Sequence, residues 1–415
     1  MFDNLLYQGA SSLLKDDIVH HRLPGAILLA GPASSGKLTC ALEIARILSC
    51  TAAEKRGHWL CECPSCKRNK ELTFPNVLLA GPRDCSLEIL AAKKTFLTAA
   101  YNNDSYLPAT RFLFVRAVRK LTMRFSQILW EDDDKVSKIA PIMQAIDEQL
   151  EQIDGAKPLP ENESLESICA ELVKQTDKLE STFMYDSLPI NQIRAASRWA
   201  HMKSPDGKKV FIIENADRMN EAARNALLKI LEEPPADTVF ILTTSRRGAV
   251  MPTILSRVRT YQFSQRTAEQ QGEVIERVFH ANPSTLRQGS VSAQSAAVSI
   301  DSYLQTFLPV TPDVVQKYAS EFYASVEKGA FPNVGEIVKG CANFEPRVLF
   351  RIFLTGILDA QKTADLSARN VESAAKNVSV LRDIYNNVNV YNQTPTAALE
   401  NLWRELFAVY RLERR

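Results

Sequence analysis

The sequence lacks an excess of charge of either sign. Its 50 lysine and arginine residues nearly balance 48 aspartate and glutamate residues, which leaves a formal net charge of +2 over 415 residues. A global positive field that would attract nucleic acid is therefore excluded, and any contact with DNA must be local or shared with partners. The hydrophobic and charged shares, 45% and 24%, are ordinary for a globular protein. The length predicts about two to four domains.

Long apolar runs are also missing. No stretch reaches the roughly 18 consecutive apolar residues of a membrane span, so no contact with a membrane is expected. The amino terminus, Met1-Phe2-Asp3-Asn4, lacks the basic start and apolar core of a secretory signal. Four of the eight cysteines cluster, which suits a metal better than disulfides and favours a reducing, cytoplasmic setting.

A short apolar run followed at once by a glycine-containing loop is the first informative feature that is present. Ala26–Ala30 is typical of a buried parallel strand, and the loop Gly31–Lys37 reads Gly-Pro-Ala-Ser-Ser-Gly-Lys before a predicted helix. Glycines in this context let backbone N–H groups converge on phosphate oxygens, and the lysine adds a positive charge. The pattern predicts a phosphate-binding loop that uses Gly31, Gly36 and Lys37. The alternative is an ordinary strand-to-helix turn.

The magnesium part of such a site is altered. Leu38 stands where a serine or threonine would ligate the ion, and Thr39 lies one residue, about 100° of helical rotation, too late. After a later apolar strand the chain has Glu214-Asn215, where ATPases of this type have Asp-Glu. Glu214 can still hold a metal, but Asn215 cannot act as a base, because an amide has no useful proton affinity near neutral pH. Binding of ATP and magnesium stays open, and hydrolysis by this site is not expected.

Four clustered cysteines, Cys50, Cys61, Cys63 and Cys66, predict a structural zinc ion held in tetrahedral geometry. One intervening residue makes it hard for Cys61 and Cys63 to bind the same ion. Cys50, Cys63 and Cys66 are therefore expected to be the firmer ligands, with His58 as a candidate substitute for Cys61. The alternative is a lost site with four reduced thiols.

Two further segments follow in the second half of the chain. One is the run Asn225–Pro235, Asn-Ala-Leu-Leu-Lys-Ile-Leu-Glu-Glu-Pro-Pro, and the other is Leu255–Val258, Leu-Ser-Arg-Val. Together with the loop and the cysteines, this order resembles the AAA+ subunits of bacterial DNA polymerase III clamp loaders. The resemblance is closest to the delta-prime or stator subunit, with gamma/tau as a relative. It covers about residues 1–80 and 186–265.

The resemblance implies a role for Arg257. In that family a Ser-Arg-Cys motif, here Ser256-Arg257-Val258, sends its arginine into the ATP site of the neighbouring subunit. In the best cases such an arginine finger increases the rate of hydrolysis by a factor of ~10³–10⁵. The alternative is a surface arginine that caps a helix. Thr244 occupies the family's sensor 1 position, and we favour a role in capping the strand end over a role in placing water.

The implied function is that of a delta-prime-like subunit in a hetero-oligomer with gamma/tau and delta. It would help ATP-driven loading of the sliding clamp onto primer-template DNA, with Arg257 completing a neighbouring site. The alternative is an active gamma/tau-like ATPase that uses Lys37, Thr39 and Glu214.

The implied fold is an α/β RecA-like AAA+ core followed by an all-α lid and an all-α collar. The expected bounds are 1–83 and 186–265 for the core, 84–185 for a helical insertion, 266–335 for the lid and 336–415 for the collar. The insertion lacks strand alternation and is outside the resemblance, so a solvated helical hairpin or small domain is expected, with a partner-docking element as the alternative. Gln288–Ser295 is small and polar and is expected to form a flexible loop.

Overall fold

The computed structural model describes residues 1–53, 56–204, 207–282, 299–363, 371–391 and 393–413. The chain divides into two compact units, Met1–Tyr303 and Leu304–Arg415. This boundary falls inside the expected lid, so the domain bounds given above stay predictions. The expected loop Gln288–Ser295 lies outside the described residues.

A parallel sheet forms the centre of the first unit. Its five strands, in the order β2-β3-β4-β1-β5, are β1 (Ala26–Ala30), β2 (Val77–Ala80), β3 (Lys209–Ile213), β4 (Thr238–Thr244) and β5 (Arg259–Gln262). Each neighbouring pair is parallel, and Ala30 at the end of β1 lies opposite Thr244 at the end of β4. The carboxyl ends of the strands therefore meet at one edge, where sites of α/β proteins are usually built. The predicted α/β core is confirmed.

Both faces of this sheet are covered. On β1, Ile27 and Leu29 enter one hydrophobic cluster, whereas Leu28 and Ala30 enter the other, as the two-residue period of a strand requires. Every residue of β1 is buried, which explains why its sequence is a continuous apolar run rather than an alternating one.

Helices surround the sheet on both faces. They are α1 (Ala10–Val19), α2 (Lys37–Ser49), α3 (Pro64–Lys70), α4 (Ser86–Asn102), α5 (Leu107–Thr122), α6 (Gln127–Trp130), α7 (Val136–Gln152), α8 (Asn162–Phe183), α9 (Ile190–His201), α10 (Glu221–Glu232), α11 (Pro252–Leu255), α12 (Ala268–Phe279) and α13 (Ile300–Gln305).

The region 84–185 is helical, and its helices belong to the same core as the sheet. Phe96 of α4 and Phe114 of α5 stack with ring centroids 5.9 Å apart. Both are fully buried in the cluster that also contains Phe211 of β3 and Phe240 of β4. The region is therefore integrated with the sheet, and it is not a solvated hairpin on the surface.

The second unit is helical. Its helices are α14 (Pro312–Lys328), α15 (Val334–Gly340), α16 (Val348–Thr363), α17 (Val371–Tyr391) and α18 (Pro395–Glu413). They enclose one core, in which Phe322 and Phe353 meet edge to face and Leu402 is fully buried. Assignment of lid and collar stays a prediction. Among the described helices of both units, none combines the length and the apolar character that crossing a membrane requires.

Candidate functional site

Close packing at two positions forces glycine into the loop after β1. A Cβ at Gly31 would lie 2.5 Å from the carbonyl oxygen of Phe263, and a Cβ at Gly36 would lie 2.9 Å from Leu5. Gly36 also has φ of +94°, in the region that side chains rarely adopt. The loop thus has the tight turn expected of a phosphate-binding loop, and α2 begins directly after it at Lys37.

The side chain of Lys37 is folded onto its own loop. Its Nζ donates to the carbonyl oxygen of Gly31 at 2.7 Å, to that of Pro32, and at 3.4 Å to Ser35 Oγ. Burial disfavours the ammonium and lowers the pKa of Lys37 to about 8, although the nearby Glu214 carboxylate opposes this shift. The lysine predicted to meet phosphate is therefore engaged with backbone carbonyls.

Arg266 and Asp301, both towards the end of the first unit, hold the loop in place through hydrogen bonds. Arg266, which is buried, donates through Nη1 to the carbonyl oxygen of Ser34 at 2.6 Å, and its Nε and Nη2 donate to that of Leu6. Ser34 Oγ donates to Asp301 Oδ1 at 2.6 Å. The loop is thus tied to the amino-terminal segment and to α13.

Positions 38 and 214, where an ATPase of this type would ligate magnesium, offer no free ligand to a metal. Leu38 is buried in the core beside the sheet, and Thr39 lies one position further along α2 and is half-buried. Glu214 follows β3, but both of its oxygens are taken. Arg83 Nη1 donates to Oε1 at 2.6 Å, and Arg124 Nη2 donates to Oε2 at 2.5 Å.

These contacts belong to a larger buried network. Arg83 also donates to Glu88 Oε2 at 2.7 Å, and Lys120 donates to the other oxygen of Glu88. Arg124 Nη1 donates to the carbonyl oxygen of Gly81 at 2.7 Å. Burial would raise the pKa of Glu214, but the two guanidiniums outweigh burial and hold that pKa below its usual value. Glu214 is therefore an ionised carboxylate whose counter-ions are arginines of the same chain.

The residues present do not fit a magnesium ion of the ATPase type. Two permanently charged guanidiniums occupy the carboxylate that would ligate it, and position 38 has no hydroxyl. Asn215 is turned away, since its Nδ2 donates to the carbonyl oxygen of Pro82 at 2.7 Å.

Thr244, at the end of β4, contacts a carboxylate next to it in space. Its Oγ1 donates to Asp217 Oδ1 at 2.7 Å and accepts from the backbone N–H of Arg246 at 3.0 Å. Asp217 also binds the guanidinium of Arg246. These bonds support the interpretation of Thr244 as a strand-end cap, which stays a prediction.

Arg257 lies just after α11, in a very different environment. Its Nη1 donates to the carbonyl oxygen of Thr253 at 2.8 Å and to Ser256 Oγ at 3.3 Å. Its Nη2 donates to Glu232 Oε1 at 2.6 Å, and the side chain is 31% exposed. The arginine thus caps the helix that precedes it and still reaches solvent.

The four predicted cysteines come together around α3. All four Sγ atoms lie within 4.8 Å of one another, and those of Cys50 and Cys61 are 3.7 Å apart. A tetrahedral ion with Zn–S bonds of ~2.3 Å would separate its sulfurs by ~3.8 Å. Cys61 and Cys63 both belong to the cluster, despite the single residue between them, and their binding of one ion stays a prediction. His58 is not part of it among the described residues.

The surroundings act on the thiols in opposite directions, since burial raises the pKa of Cys66 while the pKa of Cys63 is lowered. Burial would raise the pKa of Cys63, but hydrogen bonds from the backbone of Thr51 and Cys66 outweigh burial and lower that pKa to about 6. The buried guanidinium of Arg46 donates to Cys66 Sγ at 3.2 Å and to both oxygens of Glu43. The donor set fits a structural zinc ion with four sulfur ligands.

Helix α5 contacts both the cysteine cluster and the Glu214 network. Arg116 donates to the carbonyl oxygen of Lys70, and Arg119 donates to that of Glu71 at 2.7 Å. Lys120 and Arg124, at and just beyond the end of α5, reach Glu88 and Glu214.

Sequence reasoning missed Arg83 and Arg124. Arg83 follows an apolar strand, which is a usable signal, but Arg124 is 90 residues from its partner and carries none.

Comparison with known proteins places this geometry in context. The family model described as "DNA polymerase III, delta subunit" matches residues 7–141 and 160–267, more than half of the chain. The expectation that resemblance is absent from 84–185 was therefore wrong, since between the two matched segments only 142–159 is unmatched.

Curated relatives match over shorter segments. DNA polymerase III subunit gamma/tau of Mycobacterium bovis is 35% identical over 107 residues, which are 23% of this chain and 18% of that protein. The delta' subunit of Haemophilus influenzae is 37% identical over 76 residues, 18% of this chain and 23% of the relative. The delta' subunit of Bacillus subtilis is 46% identical over 56 residues, 14% of this chain and 17% of the relative. The matches thus span less than a quarter of each of these three relatives.

Proposed function

The chain belongs to the DNA polymerase III delta-subunit family, as a clamp-loader subunit related to delta-prime and gamma/tau, and from this premise we propose that it is a delta-prime-like stator. In this role it does not cycle through ATP hydrolysis itself. It joins gamma/tau and delta in the cytoplasm in a hetero-oligomer that loads the sliding clamp onto primer-template DNA. Arg257 completes the ATP site of an adjacent gamma/tau subunit.

The observation that supports this proposal most directly is that Glu214 forms ion pairs with Arg83 and Arg124. Both contacts are short, and Arg124 and Glu214 are buried, so displacing the arginines would leave the Glu214 carboxylate uncompensated in the interior. With Leu38 in place of a hydroxyl, the chain offers no ready magnesium site, and Asn215 offers no base. A subunit of this kind can contribute to hydrolysis only through a group that it presents to a partner.

Arg257 is the group that suits this task. Its guanidinium is permanently charged and planar, which allows it to neutralise charge that develops on a transferred phosphoryl group. It is partly exposed, and its contacts are made at the surface. Loss of a cation at this position would act on the neighbour's turnover and leave this chain's fold nearly unchanged.

The first experiment measures steady-state ATP hydrolysis by the purified chain and by a Lys37→Ala variant. We expect the same background rate from both proteins. Turnover that depends on Lys37 would contradict the stator role and would favour the gamma/tau-like ATPase. The 35% identity to a gamma/tau subunit supports this alternative.

The second experiment tests Arg257 in the complex reconstituted with gamma/tau, delta, sliding clamp and primed DNA. Arg257→Ala should reduce DNA-stimulated ATP turnover and clamp loading, and Arg257→Lys should restore little, because the ammonium lacks the planar fork. Arg247→Ala, which removes an exposed arginine after β4, is the matched control. Equal activity of the Arg257 and Arg247 variants would overturn the role of Arg257.

We also propose that Cys50, Cys61, Cys63 and Cys66 hold one structural zinc ion. When bound, the ion would cross-link the segment between α2 and α3, and it would supply no reaction chemistry because all four ligands come from the protein. Elemental analysis should find about one zinc per chain, and Cys66→Ser should lose it. Cys169→Ser, at a buried cysteine far from the cluster in sequence, should retain it. Absence of metal from protein purified without chelator would contradict the proposal.

A further inference from the structure

Glu232 is the carboxylate that faces the exposed arginine. It is the last residue of α10, and its Oε1 accepts from Arg257 Nη2 at 2.6 Å. It lies in the run Asn225–Pro235, near the two prolines that close this run. The contact joins two segments that are 25 residues apart in sequence.

The position of this carboxylate is fixed by the backbone. Pro234 and Pro235 end the helix, because proline cannot continue the hydrogen-bond ladder. Pro234 also packs against the residue just before β1, since a Cβ at Gly25 would lie 2.8 Å from the proline ring. Glu232 therefore projects from a helix end that is anchored on the central sheet.

The contact leaves the arginine held but not enclosed. Nη1 is engaged by Thr253 and Ser256 on the chain just before it, and within the described part of the chain Nη2 is engaged by Glu232 alone. Glu232 is 52% exposed, so water screens the pair and the pair is easily exchanged. A guanidinium held by one surface carboxylate can change partner when a stronger anion, such as a phosphate, approaches.

We propose that Glu232 is a positioning residue for Arg257. Its carboxylate keeps the guanidinium extended at the surface before the neighbouring ATP site closes on it, so that less conformational freedom is lost in the transition state. Glu232 does not contact nucleotide. This inference rests on the proposed function, since it requires Arg257 to act in a neighbouring site.

The test compares Glu232→Gln with Glu233→Gln in the complete reconstituted complex. Glu233 is the next residue, is exposed, and has no ion pair within the described part of the chain, so it is a matched control for loss of one negative charge. We expect Glu232→Gln to lower kcat of DNA-stimulated ATP hydrolysis about three- to tenfold with little change in KM, as misplacement of a catalytic group does. Glu233→Gln should match the wild type.

Two further variants separate positioning from a structural role. Glu232→Asp should recover part of kcat, and rising salt should shrink the difference between wild type and Glu232→Gln, since salt screens the pair. In an Arg257→Ala background, Glu232→Gln should have no additional effect. Thermal unfolding of the free chain should be nearly the same for all variants, because the pair is at the surface.

The outcomes distinguish the inference from its premise. If Arg257→Ala leaves the complex fully active, the proposed role of Arg257 fails. If Arg257→Ala is defective while Glu232→Gln equals Glu233→Gln, only the positioning role fails. A rise in kcat in Glu232→Gln would also overturn it, since it would show that the carboxylate restrains the arginine.

Discussion

Two arginine–carboxylate pairs of this chain have nearly the same length and opposite surroundings. The Arg124–Glu214 pair spans 2.5 Å with side chains 2% and 9% exposed, and the Arg257–Glu232 pair spans 2.6 Å with side chains 31% and 52% exposed. Burial makes the first pair a fixed part of the interior, since neither charge can be rehydrated without opening the fold. Solvent makes the second pair weak and exchangeable. The same pairing of charges thus fixes Arg124 and Glu214 in the interior and leaves Arg257 and Glu232 accessible to solvent.

A third carboxylate shows what the buried arginines contribute. Glu180 of α8 accepts from the backbone N–H of Cys85, and its other oxygen is buried with no partner among the described atoms. Burial, with a further contribution from Asp84, raises the pKa of Glu180 to about 8. Glu214 is more deeply buried than Glu180, but two guanidiniums hold its pKa below the usual value. Charge compensation, and not depth, decides whether a carboxylate at this edge of the sheet is ionised.

Removal of the buried guanidinium should produce the largest effect on stability. Arg124→Ala leaves Glu214 with one partner and opens space beside Trp130, whose Nε1 donates to the backbone of residue 124. We expect the free energy of unfolding to fall by about 3–5 kcal/mol, as measured by denaturant titration. Arg198→Ala, which breaks an exposed pair with Glu131 and Asp132, is the control and should cost less than about 1 kcal/mol.

The double variant Arg124→Ala/Glu214→Gln sharpens this measurement. Neutralising Glu214 removes the stranded negative charge, so the double variant should be more stable than the sum of the two single effects predicts. Simple additivity would mean that the charges are not coupled, and the description of Glu214 as a self-compensated carboxylate would then be wrong.

Glu180→Gln should give the next largest effect, and it should depend on pH. A carboxyl whose folded pKa is about 8 and whose unfolded pKa is near 4.5 contributes stability that is fully present below pH ~4.5 and is lost as the pH rises through ~8. We expect Glu180→Gln to be close to the wild type at pH 5 and more stable than it by about 2–4 kcal/mol at pH 9. Unfolding curves of both proteins at the two pH values test this. A constant difference would contradict the raised pKa.

Sequence reasoning reached the parts of this picture that are local in the chain. The apolar run Ala26–Ala30 and the glycines after it predicted β1 and the loop, since both depend on neighbouring residues. Leu38 and Asn215 predicted a defective site because each removes a functional group outright. The cluster of four cysteines was also predicted, and the structure brings all four thiols together. These signals survive in sequence because they do not depend on distant packing.

The remainder depended on contacts between distant segments. Nothing in the sequence around Arg124 indicates that it enters the interior, because its partner Glu214 lies after a strand on the other side of a long helical region. The same limitation led to the expectation that 84–185 is a solvated addition. Its buried faces are visible only when Phe96 and Phe114 are seen against β3 and β4. A residue such as Glu232, read alone, is an ordinary charge at a helix end.

Lowering the pH should distinguish the buried pair from the exposed pair through the free energy of unfolding, with a smaller effect than the substitutions above. Because the folded pKa of Glu214 is lowered, its contribution to stability is present above the unfolded pKa of about 4.5 and is lost as the pH falls through the folded value. We expect wild type to lose up to about 2 kcal/mol more than Glu214→Gln between pH 6 and pH 3, because the unfolded carboxyl takes up its proton below pH ~4.5. The reference is Glu232→Gln, which should follow the wild-type acid profile. Parallel profiles for wild type and Glu214→Gln would contradict the compensation by Arg83 and Arg124.

The smallest expected effect completes the comparison. Arg257→Ala removes a half-exposed guanidinium whose contacts are to Thr253, Ser256 and Glu232. Its free energy of unfolding should therefore stay within about 1 kcal/mol of the wild type in denaturant titration. A complex that contains Arg257→Ala should lose most of its ATP turnover. Arg124→Ala, in contrast, should mainly lower the free energy of unfolding. A cost for Arg257→Ala comparable to that of Arg124→Ala would mean that Arg257 is a structural cap, because a side chain that stabilises its own fold so strongly is not free to exchange Glu232 for the phosphate of a neighbour.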